Sequence, residues 1–563
     1  MSGKGQLPFI NPATGEQFGA IRVSTSEEIA RAMDEMRANL RLWREKAPEE
    51  RARALRRMQA LLLDRADEIT RVLNLDTGKS RQDALAELFL VVDKLQTYRR
   101  HAPDWLAREI VPRGIYPFKR YYVERRPFGV VAVLGPWNYP LDLTMPAVFS
   151  ALLAGNTVIL KPSEVTPAVG ALVEDLFRSV PALSPFVRVI HGDGEVGAEL
   201  VSSGPDLVFL TGSPATGRKV AKATADTLTP FLCELGGKDP MIVLEDADIK
   251  EAAHWGVWGA FFHVGQTCIS IERVYVVEAV YEPFLEAVLE ETRRLKQGYS
   301  PHTRNPNDLG PLTFERQAEI IEDHLQDAQA KGARILLGGR REELFMEPTV
   351  VVGVDHSMKL MRDETFGPIL PIMKVKDEEE AIRLANDSYL GLSASVWSND
   401  VQRAERVAHR LEVGSVVVND TLAHYAVSQL PFGGVKQSGT ARTHGKQDVL
   451  QFTQTHAYGV GRTPFFLDIA ARLRTPDRYR LLSALMHALF GTDLGQRLKA
   501  IGEGAHFVRE RFGRDRLAGL RTADPEPARA GLQRRPTTAV AAAGLVAGMA
   551  ALILSLLRGR EKA

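Results

Sequence analysis

The feature that most constrains the fold is a repeated alternation of short apolar segments with longer helix-like segments over residues 1 to about 460. Four of the apolar segments occupy residues 129–135, 156–164, 186–194 and 206–213. They are rich in Val, Ile and Leu and have the length of buried strands. The segments between them, such as 141–155 and 166–180, have the periodicity of helices. Repetition of strand, helix and strand predicts an α/β protein with a parallel sheet.

A second series of apolar segments begins after Pro240 and predicts a second α/β domain. Its members are MIVLEDAD, RVYVVE, RILLGG and GSVVVND. We therefore expect two doubly wound parallel-sheet domains, with functional side chains where the strands end, because ligands of such sheets bind there. Residues 114–129 alternate like an extended hairpin, which predicts an oligomerisation arm.

The composition is that of an ordinary globular enzyme, because 45% of the 563 residues are hydrophobic and 25% are charged. The two cysteines, Cys233 and Cys268, cannot form a disulfide framework, and no Cys/His cluster has the spacing of metal ligands. We therefore expect no metal. The N-terminus lacks the apolar region of a secretory signal, which favours a reducing, cytoplasmic setting for the main body.

The C-terminal part has a different character. Fourteen Lys or Arg and seven Asp or Glu lie between Arg472 and Arg535, although the whole chain has a net charge of only +1. Ala539–Leu557 is a run of 19 uncharged residues, long enough as a helix to cross most of a bilayer. The basic flanks favour a membrane anchor, with no nucleic acid as partner and with the catalytic body facing the cytoplasm. The alternative is a buried Ala-rich helix.

Residues 478–490 predict an amphipathic helix. Such a helix either lies on a membrane interface or packs on the enzyme body. The sequence alone leaves both interpretations open.

Three short motifs carry side chains that suit nucleophilic catalysis. Cys268 ends GQTC, and a thiolate is the most effective side-chain nucleophile. Glu234 ends an apolar strand beside a Gly-Gly turn, where a carboxylate can activate water. Asn138 of GPWNYP offers an amide N–H to an oxyanion. Each has an ordinary structural alternative, and we expect Cys233 to be only a small buried side chain.

Two further motifs are typical of dinucleotide binding. KPSE, from Lys161 to Glu164, ends one predicted strand, and TGSPATG, at 211–217, ends another and begins a helix. A carboxylate there accepts hydrogen bonds from ribose hydroxyls, and a turn of this kind at a helix N-terminus receives a pyrophosphate. The turn differs from the G-x-G-x-x-G fingerprint, so taken alone it is a weak indication.

Taken together, the motifs resemble one family. GPWNYP, KPSE, FLTGS, ELGGKDP, GQTC, ETFGP and PFGGVKQSG occur in the order seen in the NAD(P)-dependent aldehyde dehydrogenase superfamily. The resemblance covers residues from about Phe9 to about Phe452, and the 34-residue separation of Glu234 from Cys268 also fits.

The resemblance implies a role for each motif. Cys268 would attack the aldehyde carbon, Asn138 would hold the oxyanion, and Glu234 would deprotonate the water that hydrolyses the thioester. It implies cofactor contacts for Lys161, Glu164, Gly212, Ser213, Gly217, Glu364 and Phe366. Glu164 would repel a 2′-phosphate, so NAD is favoured over NADP, although Lys161 leaves use of both open.

Sequence patterning, composition and the resemblance together predict the domains. Residues 1–112 and 126–236 form the Rossmann-like NAD-binding domain, 113–125 and 445–460 the oligomerisation arm of a homodimer, 237–444 the catalytic domain, 461–535 a basic extension and 536–563 the membrane anchor. His263 stands where the family commonly has asparagine; it is either a hydrogen-bonded structural histidine or a group that perturbs the pKa of Cys268.

The apolar tail resembles that of fatty aldehyde dehydrogenases and favours a long-chain or otherwise apolar aldehyde. Tyr139, Leu143, Phe262 and Ile269 are candidates for an apolar entrance. A semialdehyde or an aromatic aldehyde is the alternative substrate. Alternatives of other kinds are a cofactor-free cysteine hydrolase, a CoA-acylating dehydrogenase and an inactive membrane scaffold.

Overall fold

The computed structural model describes residues 5–112, 119–461 and 478–519. Contacts divide the chain into two compact units. The main unit comprises Met1–Ala107 and Arg125–Thr455, and the second unit comprises Arg108–Glu124 and the chain from His456 onward.

The chain begins with an antiparallel strand pair and four helices. These elements are β1 (Gln6–Ile10), β2 (Gln17–Arg22), α1 (Ser26–Arg44), α2 (Pro48–Asp64), α3 (Ala66–Thr77) and α4 (Arg81–Trp105). Local sequence sets the helix ends: Thr25 and Glu28 form a capping box before α1, and Gly78, with a φ of 78°, ends α3. Strands β3 (Glu109–Val111) and β4 (Lys119–Pro127) follow.

The first α/β layer is a five-stranded sheet. Its elements are β5 (Val130–Leu134), α5 (Met145–Ala154), β6 (Thr157–Lys161), α6 (Pro167–Arg178), β7 (Val187–Val189), α7 (Gly194–Ser202), β8 (Leu207–Gly212), α8 (Pro214–Ala225) and β9 (Phe231–Leu235). All pairings are parallel, in the order β7-β6-β5-β8-β9. The four strands and two helices expected here are confirmed. The strand order reverses between β5 and β8, which places a ligand crevice beyond their carboxyl ends.

The second layer is a seven-stranded sheet. Its strands are β10 (Asp239–Val243), β11 (Ile271–Val277), β12 (Arg334–Leu337), β15 (Thr349–Val352), β16 (Ile369–Val375), β18 (Ser393–Trp397) and β19 (Ser415–Val418), in the order β12-β15-β16-β11-β10-β18-β19. Two short pairs accompany it: β13 (Arg341–Glu342) with β14 (Phe345–Met346), and β17 (Leu390–Gly391) with β20 (Val435–Lys436). Its helices are α9 (Ile249–Phe261), α10 (Tyr281–Arg294), α11 (Glu315–Ala330), α12 (Lys359–Arg362), α13 (Glu378–Asn386), α14 (Val401–Ala408) and α15 (Gly445–Leu450).

The α/β class with two largely parallel sheets is confirmed, with one exception of direction. β12, expected as one more parallel strand, pairs antiparallel with β15 at the sheet edge. The connection between these strands contains only the short β13–β14 pair and no helix. A parallel connection needs a longer crossover, usually helical, so this one returns antiparallel.

The second unit contains a three-stranded sheet in the order β21-β4-β3, with β21 at Thr453–Gly461. β3 and β4 pair antiparallel, so the expected segment 114–129 supplies only one strand of the hairpin and its partner β3 lies before that segment. Residues 113–118 between the strands lie outside the described residues, and the role of the hairpin as an oligomerisation arm stays a prediction. The ring of Tyr122 on β4 stacks on that of Tyr458 on β21, with centroids 4.9 Å apart. Residues 445–450 of the expected arm form helix α15, and Val449 is fully buried in the core of the main unit. The assignment of 445–460 to an arm stays a prediction.

The second unit also contains two packed helices, α16 (Arg478–Phe490) and α17 (Leu494–Gly519). The helix expected at 478–490 is therefore confirmed. Six large apolar side chains are exposed on this pair: Tyr479, Leu482, Met486, Phe490, Leu494 and Leu498. Among the helices of the described residues, none is both long and apolar enough to cross a membrane. The expected anchor, Ala539–Leu557, lies outside the described residues.

Candidate functional site

The five-stranded sheet brings the predicted polar motifs together at one edge. Asn138 follows β5, Lys161 is the last residue of β6, Ser213 follows β8, and Glu234 is near the end of β9. Because the carboxyl ends of parallel strands meet at one edge, these residues lie at the same edge of the sheet.

The seven-stranded sheet contributes its amino ends instead. Cys268 lies three residues before β11, and Glu364 lies five residues before β16. The expectation that the GQTC motif lies where a strand ends was wrong, because Cys268 precedes β11. Apolar patterning locates a strand without showing which of its ends faces a neighbouring domain.

The loop before Cys268 has an unusual backbone. His263, Val264 and Gly265 have φ angles of 49°, 58° and 71°, in the left-handed region that L side chains rarely adopt. Gly265 is required because a Cβ there would lie 2.2 Å from the carbonyl oxygen of Gly367. Val264 is almost fully buried, so the surrounding core holds this strained backbone in place.

Cys268 is partly buried beside several carboxyl groups. Its low-dielectric surroundings raise the pKa of the thiol well above its usual value, and the negative charges of Glu234, Asp239 and Glu364 raise it further. Gly237, in the turn after β9, lies against the Cys268 backbone, since a Cβ at Gly237 would approach the Cys268 carbonyl oxygen to 2.6 Å. The loop of Cys268 and the turn after Glu234 are therefore in direct contact.

Asn138 is buried and held from both sides. Its Nδ2 donates to the carbonyl oxygen of Gln266 at 3.1 Å, and a side-chain amide has a second N–H to donate. Its own backbone carbonyl oxygen accepts from Lys79 Nζ at 2.9 Å and lies 3.1 Å from His263 Nε2. The amide is thus fixed beside the cysteine loop.

This contact decides between the two interpretations of His263. The ring is buried and bonded to the Asn138 backbone, and burial lowers its pKa well below the usual value, with Lys79 adding to the effect. The geometry of His263 is therefore that of a hydrogen-bonded structural histidine.

Glu234 is 2% exposed, and its Oε1 has no hydrogen-bond partner among the residues that the structure describes. Burial raises the pKa of this carboxyl to about 8, opposed by the positive charge of Lys94. The backbone around it is held by the segment that carries PFGGVKQSG: Thr440 and Ala441 donate to the carbonyl of Cys233 at 2.8 and 2.9 Å. Cys233 itself is buried in β9, as expected. A carboxyl group with a pKa near neutrality is suited to general-base work.

The expected dinucleotide residues line the crevice of the five-stranded sheet. Lys161 Nζ lies 3.0 Å from Glu164 Oε2, and the Glu164 carboxylate is 40% exposed. Ser213 is exposed at the N-cap of α8, where its Oγ accepts from Thr216 N at 3.2 Å. Gly217 has a different role, because a Cβ there would lie 2.9 Å from Leu235. This glycine therefore allows α8 to pack closely on β9.

Glu364 and Phe366 lie opposite, on the side of the seven-stranded sheet. Glu364 Oε1 accepts from Gly237 N at 3.0 Å, and burial, with the charge of Glu272, raises the pKa of Glu364 well above its usual value. Phe366, with a φ of 54°, packs edge-on against Trp137. An exposed carboxylate, a helix N-terminus and a second carboxyl group across the crevice fit a nicotinamide dinucleotide, whose riboses need acceptors and whose pyrophosphate needs donors.

Several supporting residues were not predicted from the sequence. Glu272 accepts from Lys238 Nζ at 2.5 Å and from the backbone N–H groups of Thr365 and Phe366, which fixes the loop of Glu364. Lys79 pairs with Glu87 at 2.5 Å, and Lys94 with Asp142 at 2.9 Å. One signal was available: Glu87 and Lys94 lie on the same face of α4 as the buried Leu88, Val91 and Leu95. Charges on an apolar helix face are rare unless they are paired.

Comparison with known proteins gives one family. The model of the aldehyde dehydrogenase family matches residues 1–458. The chain is 44% identical over 450 residues to the 4,4'-diapolycopene aldehyde oxidase of a Methylomonas species, covering 79% of this chain and 84% of the relative. It is 35% identical over 449 residues to the mitochondrial succinate-semialdehyde dehydrogenase of Oryza sativa subsp. japonica, covering 79% and 84%.

A solved structure agrees with the sequence relatives. Betaine aldehyde dehydrogenase from Staphylococcus aureus in complex with NAD+ superposes with a TM-score of 0.78 at 30% identity, covering 82% of this chain and 93% of that one. The matching fold, the matching motifs and the dinucleotide crevice lead to the same assignment. The chain belongs to the aldehyde dehydrogenase family and is an NAD(P)-dependent enzyme.

Proposed function

We propose that this enzyme oxidises a long-chain or otherwise apolar aldehyde to its carboxylic acid at a membrane surface. The observation that carries the proposal is the surroundings of Cys268. The thiol packs against an apolar cluster formed by Ile269, Leu392 and Phe432, with Leu422 and Tyr425 beside them. Transfer of apolar substrate surface from water to such a cluster is favourable.

The site residues divide the reaction into two halves. The Cys268 thiolate forms a bond to the aldehyde carbon, and the Asn138 amide donates to the resulting oxyanion. Bound NAD(P)+ supplies the acceptor for the hydride that leaves this carbon. Glu234 then takes a proton from water as the water oxygen bonds to the thioester carbon, and the carbon–sulfur bond breaks to release the acid.

The geometry argues against the alternative chemistries. A cysteine hydrolase needs a base paired with the thiol, and the nearby His263 instead bonds the Asn138 backbone. A CoA-acylating enzyme needs no residue to activate water, whereas Glu234 is present and buried with a pKa of about 8. An inactive scaffold gives no reason to retain a strained loop and a buried, unpartnered carboxyl group at one point.

One relative supports an apolar substrate. The Methylomonas enzyme is named for an aldehyde of 4,4'-diapolycopene, which is an unsaturated hydrocarbon. Of the four residues proposed for an apolar entrance, Ile269 is buried in the cluster beside Cys268, whereas Tyr139, Leu143 and Phe262 are partly exposed. An apolar aldehyde partitions into bilayers, so an enzyme that consumes it gains from lying at the membrane.

Two features of the C-terminal part support location at a membrane with the body facing the cytoplasm. Ala539–Leu557 is uncharged and flanked by arginines. The exposed residues Tyr479, Leu482, Met486 and Phe490 recur at three- and four-residue intervals, so they share one face of α16. A homodimer through the β3–β4 hairpin completes the proposal.

The test is NADH formation at 340 nm with n-alkanals of increasing chain length, with succinic semialdehyde and benzaldehyde as matched polar and aromatic substrates. We expect kcat/KM to rise with chain length by about tenfold for each two or three methylenes buried. Cys268→Ala is the control and should show no turnover while still binding NAD. A preference for succinic semialdehyde or benzaldehyde contradicts the apolar substrate, and turnover by Cys268→Ala contradicts the chemistry.

A further inference from the structure

A small cavity lies behind Glu234, inside the main unit. It has a volume of about 20 Å³, which is room for one water molecule. Its lining includes the polar residues Lys94, Asp142, Glu234, Tyr425, His444 and Asp448 together with the apolar residues Leu143, Pro146, Ala147 and Phe209. A cavity of this size holds a water molecule where polar atoms of the lining offer it hydrogen bonds.

Two lining residues form a buried ion pair. Lys94 Nζ lies 2.9 Å from both carboxylate oxygens of Asp142, and both side chains are almost fully buried. The Tyr425 hydroxyl lies 3.1 Å from Lys94 Nζ and donates to Asp142 Oδ2 at 2.7 Å. The pair is contributed by separate parts of the fold, since Lys94 is on α4 and Asp142 follows β5.

One lining atom lacks a partner among the described residues. Glu234 Oε1 has no hydrogen bond there, although the residue is buried. A buried polar atom without a partner is rare and is commonly satisfied by an ordered water. One water in this cavity would satisfy the carboxyl oxygen of Glu234.

Glu234 therefore faces charged groups on two sides. On the side of the active site it faces Cys268 and Glu364, whose pKa values it raises when ionised. On the side of the cavity it faces Lys94, Asp142, Tyr425, His444 and Asp448. Lys94 is the cation among these groups, and its charge acts on Glu234 directly.

We propose that the cavity holds one water molecule that bridges Glu234 to the Lys94–Asp142 pair, and that this pair is the positioning device that governs when Glu234 is ionised. Lys94 favours the carboxylate, and Asp142 limits that effect by neutralising most of the Lys94 charge. The inference rests on the proposed role of Glu234 as general base. It adds two residues, Lys94 and Asp142, that act through Glu234 and touch neither substrate nor cofactor.

The pair predicts two shifts of opposite sign. Without Lys94, the remaining Asp142 charge opposes ionisation of Glu234; without the Asp142 charge, the unpaired Lys94 promotes it. An opposite charge within about 4 to 6 Å of a titratable group moves the pKa of that group by about 1 to 3 units. A merely structural role for the pair would weaken the fold in both variants and move the pH dependence in neither.

The experiment measures hydrolysis of a p-nitrophenyl ester from pH 6 to 9.5, which forms and hydrolyses an acyl-enzyme without hydride transfer. In the wild type we expect the steady-state rate of ester hydrolysis to rise with pH, with a midpoint at about pH 8, because only the carboxylate form of Glu234 takes a proton from water. Lys94→Met should move this midpoint upward, and Asp142→Asn should move it downward, each by about one pH unit or more. The burst of nitrophenolate, which reports acylation, should persist in both.

Arg51→Met is the matched control, because Arg51 is another buried cation of the main unit whose hydrogen bonds go to the carbonyls of Arg44, Lys46 and Leu153. It should lower stability and leave the midpoint unchanged. Midpoints that stay in place, or move in one direction, in both cavity variants overturn the proposal. If Lys94→Met fails to fold, the nearly isosteric Asp142→Asn decides alone.

Glu234→Gln separates this proposal from the assignment of the general base. Loss of the pH-dependent step in Glu234→Gln, with unmoved midpoints in Lys94→Met and Asp142→Asn, overturns only the positioning role. An unchanged pH profile in Glu234→Gln overturns the base assignment itself. A high-resolution crystal structure with a dry cavity overturns the bridging water, whereas a water bonded to Glu234 Oε1 supports it.

Discussion

Glu234 combines a catalytic advantage with a cost to folding, and both come from the same burial. Its carboxyl group has no partner at Oε1 and a pKa of about 8. An unfolded chain would titrate this group at about 4.3. The folded state therefore binds the Glu234 proton more tightly than the unfolded state, and the contribution of Glu234 to stability is lost as pH rises from about 4.3 to about 8.

Glu234→Gln should accordingly stabilise the protein, and the gain should grow with pH. The amide cannot ionise, so above pH 8 the variant avoids a penalty on the order of a few kcal/mol. Thermal melts of wild type and variant at pH 5 and pH 9 measure this, and the difference in Tm should be larger at pH 9. The other buried carboxyl groups are the same in both proteins, so their effects on Tm cancel in the difference. A difference in Tm that is the same at both pH values would contradict the raised pKa.

At this scale the sequence predicted the candidate catalytic residues more readily than the residues that contact them. Cys268, Glu234 and Asn138 stand in motifs whose order and spacing resemble a family, and the structure brings them to one point. Lys94, Asp142 and Tyr425 are far apart in the chain and stand in no motif. Their contacts depend on how α4 packs beside the carboxyl end of β5, and local patterns do not encode that packing.

The turn that joins β9 to β10 links the two sheets at the active site. Gly236 and Gly237 occupy it because neighbouring groups leave no room for side chains. A Cβ at Gly236 would lie 2.1 Å from a carboxylate oxygen of Glu364. That oxygen is the far end of a flexible side chain, so the fold can adapt while the position of Glu364 changes.

Gly236→Ala should therefore impair cofactor binding more than stability. Displacing Glu364 removes a hydrogen-bonding group from the crevice, and loss of one hydrogen bond costs about 0.5 to 1.5 kcal/mol, or about two- to tenfold in affinity. We expect the KM for NAD to rise by that factor while Tm changes little. Gly194→Ala is the matched control, because nothing lies near its added Cβ. An unchanged KM for NAD would show that Glu364 does not contact the cofactor.

At the scale of elements, the sequence predicted the strands and helices. It did not predict the direction of every strand, or which end of each strand lies at the site. The strands of the first sheet are confirmed because their apolar runs, such as Val130–Leu134, are buried on both faces. The antiparallel direction of β12 and the use of the amino ends before β11 and β16 were not predicted. Both follow from connections between elements, which carry little apolar patterning.

At the scale of the whole molecule, the enzyme body and the C-terminal part are distinct in composition. The family match ends at residue 458, and the helix pair α16 and α17 follows it in the chain. Its exposed apolar residues and the later uncharged run at Ala539–Leu557 are additions to the family fold. The domain boundaries drawn from the sequence, and the homodimer, stay predictions.

Deleting residues 536–563 should move the protein from the membrane fraction to the soluble fraction while leaving turnover of a short soluble aldehyde unchanged. In this shortened chain, Leu482→Ser with Met486→Ser should further weaken binding to anionic liposomes, because the exposed face of α16 loses apolar surface. Gln496→Ser, an exposed polar position on α17, is the control. Liposome flotation measures each variant. Soluble behaviour of the intact protein would contradict the anchor.

Because Cys233 is buried in β9, the number of reactive thiols in a sample should equal the number of intact Cys268 sites. The chain has two thiols, of which Cys233 is 6% exposed and Cys268 is partly exposed. An alkylating reagent should label one thiol per intact chain, faster at alkaline pH because the thiol of Cys268 has a raised pKa. A second thiol per chain, that of Cys233, should react only when β9 unfolds. The active fraction of any preparation is thus measurable without knowing the substrate.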